Sequence, residues 1–253
     1  MNTPRKIAVA GATGRVGRPT VDVLTERGYE VVPIARSAGV DLVTGAGLAE
    51  ALAGVDAVID AATGPSPDET AATEFFTAAT GNLLRAGAEA GVSRFVVVSI
   101  IGTDRFPGGY GAAKLAQEGL ALAGAIPARI VRAAQFHEFV EQMVQWGTHG
   151  EVAYVPVTRM QLVAARAVAE VLADVVTAPD FGGPTLEVAG PREENLVDAA
   201  TLLVGQRGRP LKVEAVSDPD NPEHAFYRSG TLLPGPDALL AGPTFEEWLD
   251  AEA

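Results

Sequence analysis

The sequence predicts an α/β fold in which helices cover a doubly wound parallel sheet. Apolar runs typical of strands alternate with helical patterns at short intervals over the first 150 residues. The stretch FVVV within one of these runs is apolar at every position, as expected for a strand that is covered on both faces. A helical pattern follows the first run directly, which favours a parallel strand-helix-strand arrangement over a hairpin.

Strands are expected where β-branched and aliphatic residues cluster between turn signals. They cover residues 6–11, 29–36, 55–63, 93–102, 127–134, 150–157, 184–190 and 211–216, and the short segment 39–43 is a further candidate. Helices are expected where apolar residues recur at helical spacing, and Gly28, Gly54 and Gly91 end three of them. They cover residues 15–27, 48–52, 69–90, 110–123, 135–146, 162–176, 195–204 and 245–250. Thr244 is expected to cap the last helix, and the proline-rich stretch 217–243 to be loop.

Composition narrows the classes of function. The 253 residues include 32 acidic and 19 basic ones, and the net charge of −13 disfavours binding to nucleic acid. Cysteine is absent, which excludes disulfides, thiolate catalysis and zinc-thiolate sites. No apolar run reaches the ~18 residues that a membrane span needs. Because MNTPRK leads directly into the first strand, we expect no signal peptide and a cytoplasmic protein.

The stretch IAVAGATGRVGRPTV, residues 7–21, contains three glycines spaced three apart after a strand and before a helix. In a Rossmann-type dinucleotide site, Gly11 permits the tight turn, Gly14 lets the backbone approach a diphosphate, and Gly17 lets the helix pack closely on the sheet. The diphosphate then lies at the N-terminus of the helix. The alternative is a flexible glycine-rich connector. The cofactor-binding residues expected here are Gly11, Thr13, Gly14, Arg15, Val16 and Gly17.

The end of the second strand indicates which dinucleotide is bound. An acidic residue there would select NAD, but the strand ends in Ala35, Arg36 and Ser37. The Arg36 guanidinium suits a phosphate and Ser37 offers a hydroxyl, so NADP(H) is favoured over NAD(H). The alternative is that Arg36 is a solvated surface residue.

Four motifs, GATGRVG, DAATG, VVVSIIG and YGAAK, resemble the short-chain dehydrogenase/reductase superfamily, and more narrowly its atypical branch of NmrA-like and NAD(P)H-binding proteins. Members of that branch include NADPH-dependent quinone reductases and other carbonyl or ene reductases. Others are regulators that bind the dinucleotide without catalysis. The resemblance implies a dinucleotide-binding core at 1–150 and a segment at 151–253 that completes the fold and the substrate pocket, within one integrated domain.

The resemblance also implies roles for individual residues. Tyr110 and Lys114 match the Tyr-x-x-x-Lys pair, and Ser99 matches the serine that contacts a substrate carbonyl. Asp41 and Leu42 would border the adenine. The backbone of Ala61, Ala62, Thr63 and Gly64 would pass beside the cofactor.

The chemistry of reduction suits these residue types. A phenol can donate a proton to the oxygen that gains charge, but its ordinary pKa is about 10. An ammonium close by would lower the pKa of Tyr110 towards neutrality, and Lys114 can also hydrogen-bond the nicotinamide ribose. The Ser99 hydroxyl would hold the developing oxyanion.

The helix after residue 134 borders the substrate pocket in this fold, so Phe136 and His137 are candidate substrate-binding residues, although His137 could equally be an exposed helix residue. The spacing of the histidines predicts no metal site. Two functions stay open: an NADP(H)-dependent reductase of a small carbonyl, quinone or conjugated compound, and a non-catalytic NADP(H) sensor. Chemistry on a nucleotide-sugar ranks third. The chain is expected to act on small molecules, as a monomer or homodimer.

Overall fold

The structure, a computed structural model, describes residues 4–106, 108–180, 182–217 and 222–252. The strands are β1 (Lys6–Ala10), β2 (Glu30–Ile34), β3 (Ala57–Asp60), β4 (Arg94–Ile100), β5 (Ala128–Ala133), β6 (Thr148–His149), β7 (Val152–Pro156), β8 (Arg159–Met160), β9 (Thr185–Ala189), β10 (Glu194–Asn195), β11 (Lys212–Val216) and β12 (Leu239–Leu240). The helices are α1 (Gly17–Glu26), α2 (Leu48–Ala51), α3 (Glu69–Ala90), α4 (Gly109–Leu122), α5 (His137–Gly147), α6 (Ala165–Thr177), α7 (Leu196–Gln206), α8 (Pro222–Arg228) and α9 (Phe245–Ala251).

Seven strands form the main sheet in the order β12-β9-β5-β4-β3-β1-β2. The pairs β1/β2, β1/β3 and β3/β4 are parallel, which confirms the predicted doubly wound fold. Strand β1 lies between β2 and β3, so the direction of winding reverses at its edge. Ligands of such sheets bind beside the carboxyl ends of the strands at this reversal. The carboxyl end of β1, where the glycine loop begins, is therefore the expected ligand site.

The chain packs as two compact units: Met1–Arg132 with Val168–Leu186, and Ala133–Ala167 with Glu187–Ala253. Each unit is thus built from two separate stretches of the chain. In the first unit, strands β1, β3 and β4 are buried at nearly every position. Because side chains on both faces of these strands are buried, they are apolar almost throughout rather than alternating.

A second core cluster lies in the other unit. It joins buried aliphatic residues of α5, α7 and α9 to those of β7, including Val140, Leu203, Leu249 and Val155. Strand β7 pairs in parallel with β11 and antiparallel with β6. No helix in the described part of the chain is both long enough and apolar enough to cross a membrane.

Arg94 is a buried charged residue with a structural role. It is fully buried at the first position of β4, and its Nη1 donates to the carbonyl oxygens of Val176 (3.0 Å) and Ala178 (2.5 Å). These carbonyls belong to the C-terminal end of α6, where a cation stabilises the helix dipole and satisfies acceptors that have no partner within the helix. Arg94 therefore links the C-terminal end of α6 to the start of β4.

Two predictions about secondary structure are wrong. Residues 39–43 form turns rather than a strand, because the Asp41 carboxylate accepts the N–H groups of Val43 and Thr44 that a sheet would need. The stretch 217–243 is not all loop, since it contains α8 and the edge strand β12. A proline at the first position of a helix is tolerated because that position has no intrahelical N–H partner, and Pro222 occupies this position in α8.

Candidate functional site

The glycine loop packs directly on the chain that leaves β3. Gly11 has a φ of +73°, a conformation that disfavours other residues, and a Cβ at this position would lie 2.7 Å from the carbonyl oxygen of Ala61. It would also lie 2.8 Å from the Cα of Ala62. Glycine is therefore required both by the turn and by the close approach of two backbones. This contact places the segment Ala61–Gly64 beside the loop.

The start of α1 has the features of a diphosphate site. A Cβ on Gly17 would overlap the carbonyl oxygen of Gly11, so the helix packs closely enough to exclude any side chain. No side chain caps the N-terminus of α1, and its first turn contains no acidic residue. Exposed Thr13 and Arg15 flank this terminus, whereas Val16 is buried. Backbone N–H groups and the dipole at such an end favour an anion, so these residues fit the diphosphate of a dinucleotide.

The end of β2 presents a cation to solvent. Arg36 and Ser37 are exposed in a 3-10 turn that follows the strand. The pKa of the Asp41 carboxyl lies below its usual value, chiefly because of the hydrogen bond from the Thr44 N–H, with contributions from Val43 and from the charge of Arg36. The side chain of Leu42 is buried in the core. The Asp41 carboxylate, which senses the charge of Arg36, is thus already engaged in a turn.

Asp60, at the end of β3, fixes the segment on which Gly11 packs. It is buried, and its Oδ1 accepts the N–H of Ala62 at 3.1 Å. Its Oδ2 accepts from Thr80 at 2.7 Å and from the Gln117 amide at 3.1 Å. Burial raises the pKa of this carboxyl. The sequence signal for this role was a charged residue that ends the otherwise apolar run AVID.

Lys114 points into the same polar cluster. Its Nζ donates to the carbonyl oxygen of Val98 (2.6 Å) and to Gln117, and it lies 4.4 Å from the centre of the Phe76 ring. Burial lowers the pKa of Lys114 to about 8, although Asp60 and Glu118 oppose the shift. A contact from Lys114 to a nicotinamide ribose stays a prediction.

Tyr110 lies one helical turn before Lys114 and is half-buried. Its hydroxyl is 3.1 Å from the hydroxyl of Thr63, and its ring meets Phe76 edge-on with centroids 5.6 Å apart. Burial raises the pKa of Tyr110, while the hydrogen bond with Thr63 opposes the rise. Lowering of this pKa by Lys114 stays a prediction.

Ser99 belongs to a different network. It is buried, and its hydroxyl donates to Glu118 Oε1 at 2.5 Å. Arg132 grips the same carboxylate through Nε (3.0 Å) and Nη2 (2.7 Å), and also reaches Asp104 at 3.3 Å. Ser99, Glu118 and Arg132 therefore tie together β4, α4 and β5. Sequence reasoning missed the two charged members, whose only signal was their position within regular elements.

Two further predicted residues are Gly64 and Phe136. Gly64 packs its backbone against the Phe75 ring, where a Cβ would lie 3.0 Å from Cγ. Phe136 precedes α5 and is half-buried.

His137 is fully buried rather than exposed, which corrects the second interpretation of this residue. Its Nε2 lies 3.1 Å from the carbonyl oxygen of Pro243, and its ring packs against Phe245 and Trp248. Burial lowers the pKa of His137 to about 4. Within the second unit, its side chain is therefore a neutral core residue, and a contact with substrate stays a prediction. Among the side chains that the structure describes, no three His, Asp or Glu groups lie close enough together to hold a metal ion.

Comparison with known proteins identifies a family, a curated relative and solved structures of the same fold. A family model described as NAD(P)H-binding matches residues 11–179 of the chain. The photosystem II assembly factor Ycf39 of Synechocystis sp. is 32% identical over 116 residues, which are 40% of this chain and 36% of that relative. The chain thus aligns with little more than a third of that protein's length.

Solved structures share the fold. MoeE5 in complex with UDP-glucose and NAD superposes with a TM-score of 0.72 at 19% identity, covering 97% of this chain and 96% of the other. A short-chain dehydrogenase/reductase superfamily protein from Agrobacterium tumefaciens with bound NAD gives a TM-score of 0.69 at 20% identity, with coverage of 97% and 95%. At this level of identity, the likeness establishes the fold alone.

Proposed function

The chain belongs to the NAD(P)H-binding family, and from that premise we propose that it is an NADP(H)-dependent oxidoreductase of the short-chain dehydrogenase/reductase type. Its proposed substrate is a small carbonyl, quinone or conjugated compound. One observation carries the proposal: Gly11 packs on Ala61 and Ala62, and the next residue, Thr63, contacts the Tyr110 hydroxyl. A proton donor thus lies one short backbone segment away from the diphosphate loop.

The residues of the site divide into those that bind the cofactor and one that donates a proton. The N–H groups at the start of α1 bind the diphosphate, and Arg36 and Ser37 bind the phosphate that distinguishes NADP(H) from NAD(H). The bound reduced nicotinamide would supply a hydride to the electrophilic carbon of the substrate. Tyr110 supplies the proton to the substrate oxygen, and burial of its ring keeps the phenol protonated until that step.

The alternative is a dinucleotide-binding protein that performs no catalysis. The similarity to a relative named as an assembly factor supports it, although the aligned part is short. The two functions differ in one respect: a sensor needs the diphosphate loop but has no use for the Tyr110 proton. The solved structure of MoeE5 contains UDP-glucose, so nucleotide-sugars belong among the compounds to be tested.

Turnover distinguishes these functions. Purified protein is incubated with NADPH and a panel of quinones, small aromatic carbonyls, conjugated enones and nucleotide-4-ketosugars, and oxidation of NADPH is followed by absorbance. We expect turnover with at least one quinone or conjugated carbonyl. Tight NADPH binding with no turnover across the panel would support the sensor instead.

Replacing Arg36 tests the preference for NADP(H). We expect Arg36→Ala to raise the Kd for NADPH about 10- to 100-fold, because a charge-assisted contact with the phosphate is lost. The Kd for NADH should change by less than about twofold, since NADH lacks that phosphate. Both constants are measured by tryptophan fluorescence.

Arg27→Ala is the matched control, because it also removes one positive charge from an exposed position. Arg27 follows the C-terminal end of α1, the end away from the glycine loop, and pairs with Asp174. Equal weakening of NADPH binding in both variants would assign the effect to net charge alone. Equal losses for NADPH and NADH in Arg36→Ala would refute the preference.

A further inference from the structure

The hydroxyl of Ser99 already has an acceptor. It is buried and donates to a carboxylate oxygen of Glu118, which also forms an ion pair with Arg132. Glu118 is itself nearly inaccessible, and Arg132 balances its charge with two hydrogen bonds. Freeing the serine proton for a substrate oxygen would leave that carboxylate short of a donor in a buried site. Ser99 is thus a link within the β4-α4-β5 network.

Thr63 has the opposite situation. It is exposed at the carboxyl end of β3, and its hydroxyl is 3.1 Å from that of Tyr110. Either hydroxyl can donate in this pair. Asp60 accepts the N–H of Ala62 in the segment that carries Thr63, and the Gly11 turn packs against the backbone of the same segment. These contacts and Tyr110 all belong to one compact unit.

We propose that Thr63 is the hydroxyl that positions Tyr110 and stabilises it after proton transfer, while Ser99 is a structural link. This inference rests on the proposed function, and it names a residue for that same site. Thr63 acts through Tyr110 and is a positioning residue.

The proton balance follows from the geometry. When Tyr110 gives its hydroxyl proton to the substrate oxygen, the electron pair of the broken O–H bond stays on the phenolate. The Thr63 hydroxyl then turns to donate into that phenolate, a change of direction that a hydroxyl allows and a carbonyl does not. Solvent then restores the proton to Tyr110, which is only half-buried. No further reactant is consumed.

Other charged groups near Tyr110 have partners of their own. Glu69 of α3 accepts the N–H of Gly109, next to Tyr110 in the chain. Lys114 donates to Val98 and Gln117, while Asp60 is held by Thr80 and Gln117. Glu118 pairs with Arg132. Each of these charged groups already has hydrogen-bond partners, whereas the Thr63 hydroxyl directly contacts the hydroxyl of Tyr110.

The test measures ionisation of Tyr110 without requiring turnover. The ultraviolet absorbance of phenolate is titrated in wild type and in Thr63→Val, each against the same protein that also carries Tyr110→Phe, so that the other three tyrosines cancel. We expect Thr63→Val to move the Tyr110 midpoint upward by about one pH unit. Thr63→Ser, which keeps the hydroxyl, should restore it.

Thr25→Val is the matched control. Thr25 is exposed, and its hydroxyl donates only to its own helix, to the carbonyl of Val21. This variant should leave the midpoint where it is. If a substrate is found, kcat should fall about tenfold in Thr63→Val, with KM and the Kd for NADPH changed by less than about twofold. The alkaline limb of the kcat profile should move in the same direction as the phenolate midpoint.

Several results would overturn the inference. One is an unchanged midpoint in Thr63→Val. Another is a larger loss of kcat in Ser99→Ala than in Thr63→Val at equal NADPH binding, which would make Ser99 the hydroxyl that serves catalysis. Failure of the whole panel to oxidise NADPH would refute the proposed function, whereas the titration would still decide whether Thr63 and Tyr110 are coupled.

Discussion

Gly17→Ala is expected to raise the Kd for NADPH at least 100-fold. The added methyl group would overlap the carbonyl oxygen of Gly11, which belongs to the backbone and cannot rotate away. The loop or the start of α1 must therefore shift, and a small shift misaligns several N–H groups at once. Each charge-assisted hydrogen bond to a phosphate is worth about 1.5–3 kcal/mol, so losing two of them accounts for the expected change. Isothermal titration calorimetry measures it directly.

Gly119→Ala is the control for this substitution. Gly119 is exposed in the interior of α4, and a Cβ there meets no atom within 4 Å. Alanine should stabilise that helix by about 0.5–1 kcal/mol and leave the Kd for NADPH unchanged. Binding is compared only between proteins that keep the wild-type circular dichroism spectrum. Wild-type affinity in a folded Gly17→Ala variant would show that the loop does not hold the diphosphate.

The fold was predictable where local signals and tertiary packing agree. Helix α3 covers residues 69–90 as predicted, since Asp68 caps its start and Gly91 ends it in a left-handed conformation. The capping box between Thr244 and Glu247 likewise marks the start of α9. These signals depend on atoms only a few residues apart, so the sequence contains them in full.

The errors lie where short segments depend on context. At 39–43 the apolar content favoured a strand, but the side chain of Asp41 competes for the backbone donors. At 239–240 a two-residue strand exists only because β9 pairs with it. Neither outcome can be read from propensity, because a turn and an edge strand use the same residues with different partners.

The sequence predicted where the residues of the candidate site lie in the fold, but not which partners their side chains contact. The spacing of Tyr110 and Lys114 places both on one face of α4, yet it does not say that the amine reaches Val98 and Gln117. Ser99 sits on β4 as expected, but its partner Glu118 comes from another element. Buried charges such as Asp60 and Glu118 pair with residues distant in sequence, and a single sequence does not reveal those pairings.

Tyr110→Phe is expected to lower kcat about 100- to 10,000-fold on any substrate identified by the panel, the range for loss of a positioned proton donor. The substitution removes one oxygen and keeps the ring, which still packs edge-on against Phe76. The Kd for NADPH should therefore change by less than about twofold. Stopped-flow measurement of the first turnover separates the chemical step from release of product.

Tyr154→Phe controls for the loss of a tyrosine hydroxyl as such, because Tyr154 is exposed on β7 in the second unit. Its kcat should match that of wild type. A fully active Tyr110→Phe variant would mean that the proton comes from solvent or from another side chain, and the role assigned to Tyr110 would fail while dinucleotide binding stood. A variant that instead loses NADPH affinity and keeps kcat would make Tyr110 a binding residue. The substitution thus separates proton donation from cofactor binding, because a general acid lowers kcat at constant affinity and a binding contact does the reverse.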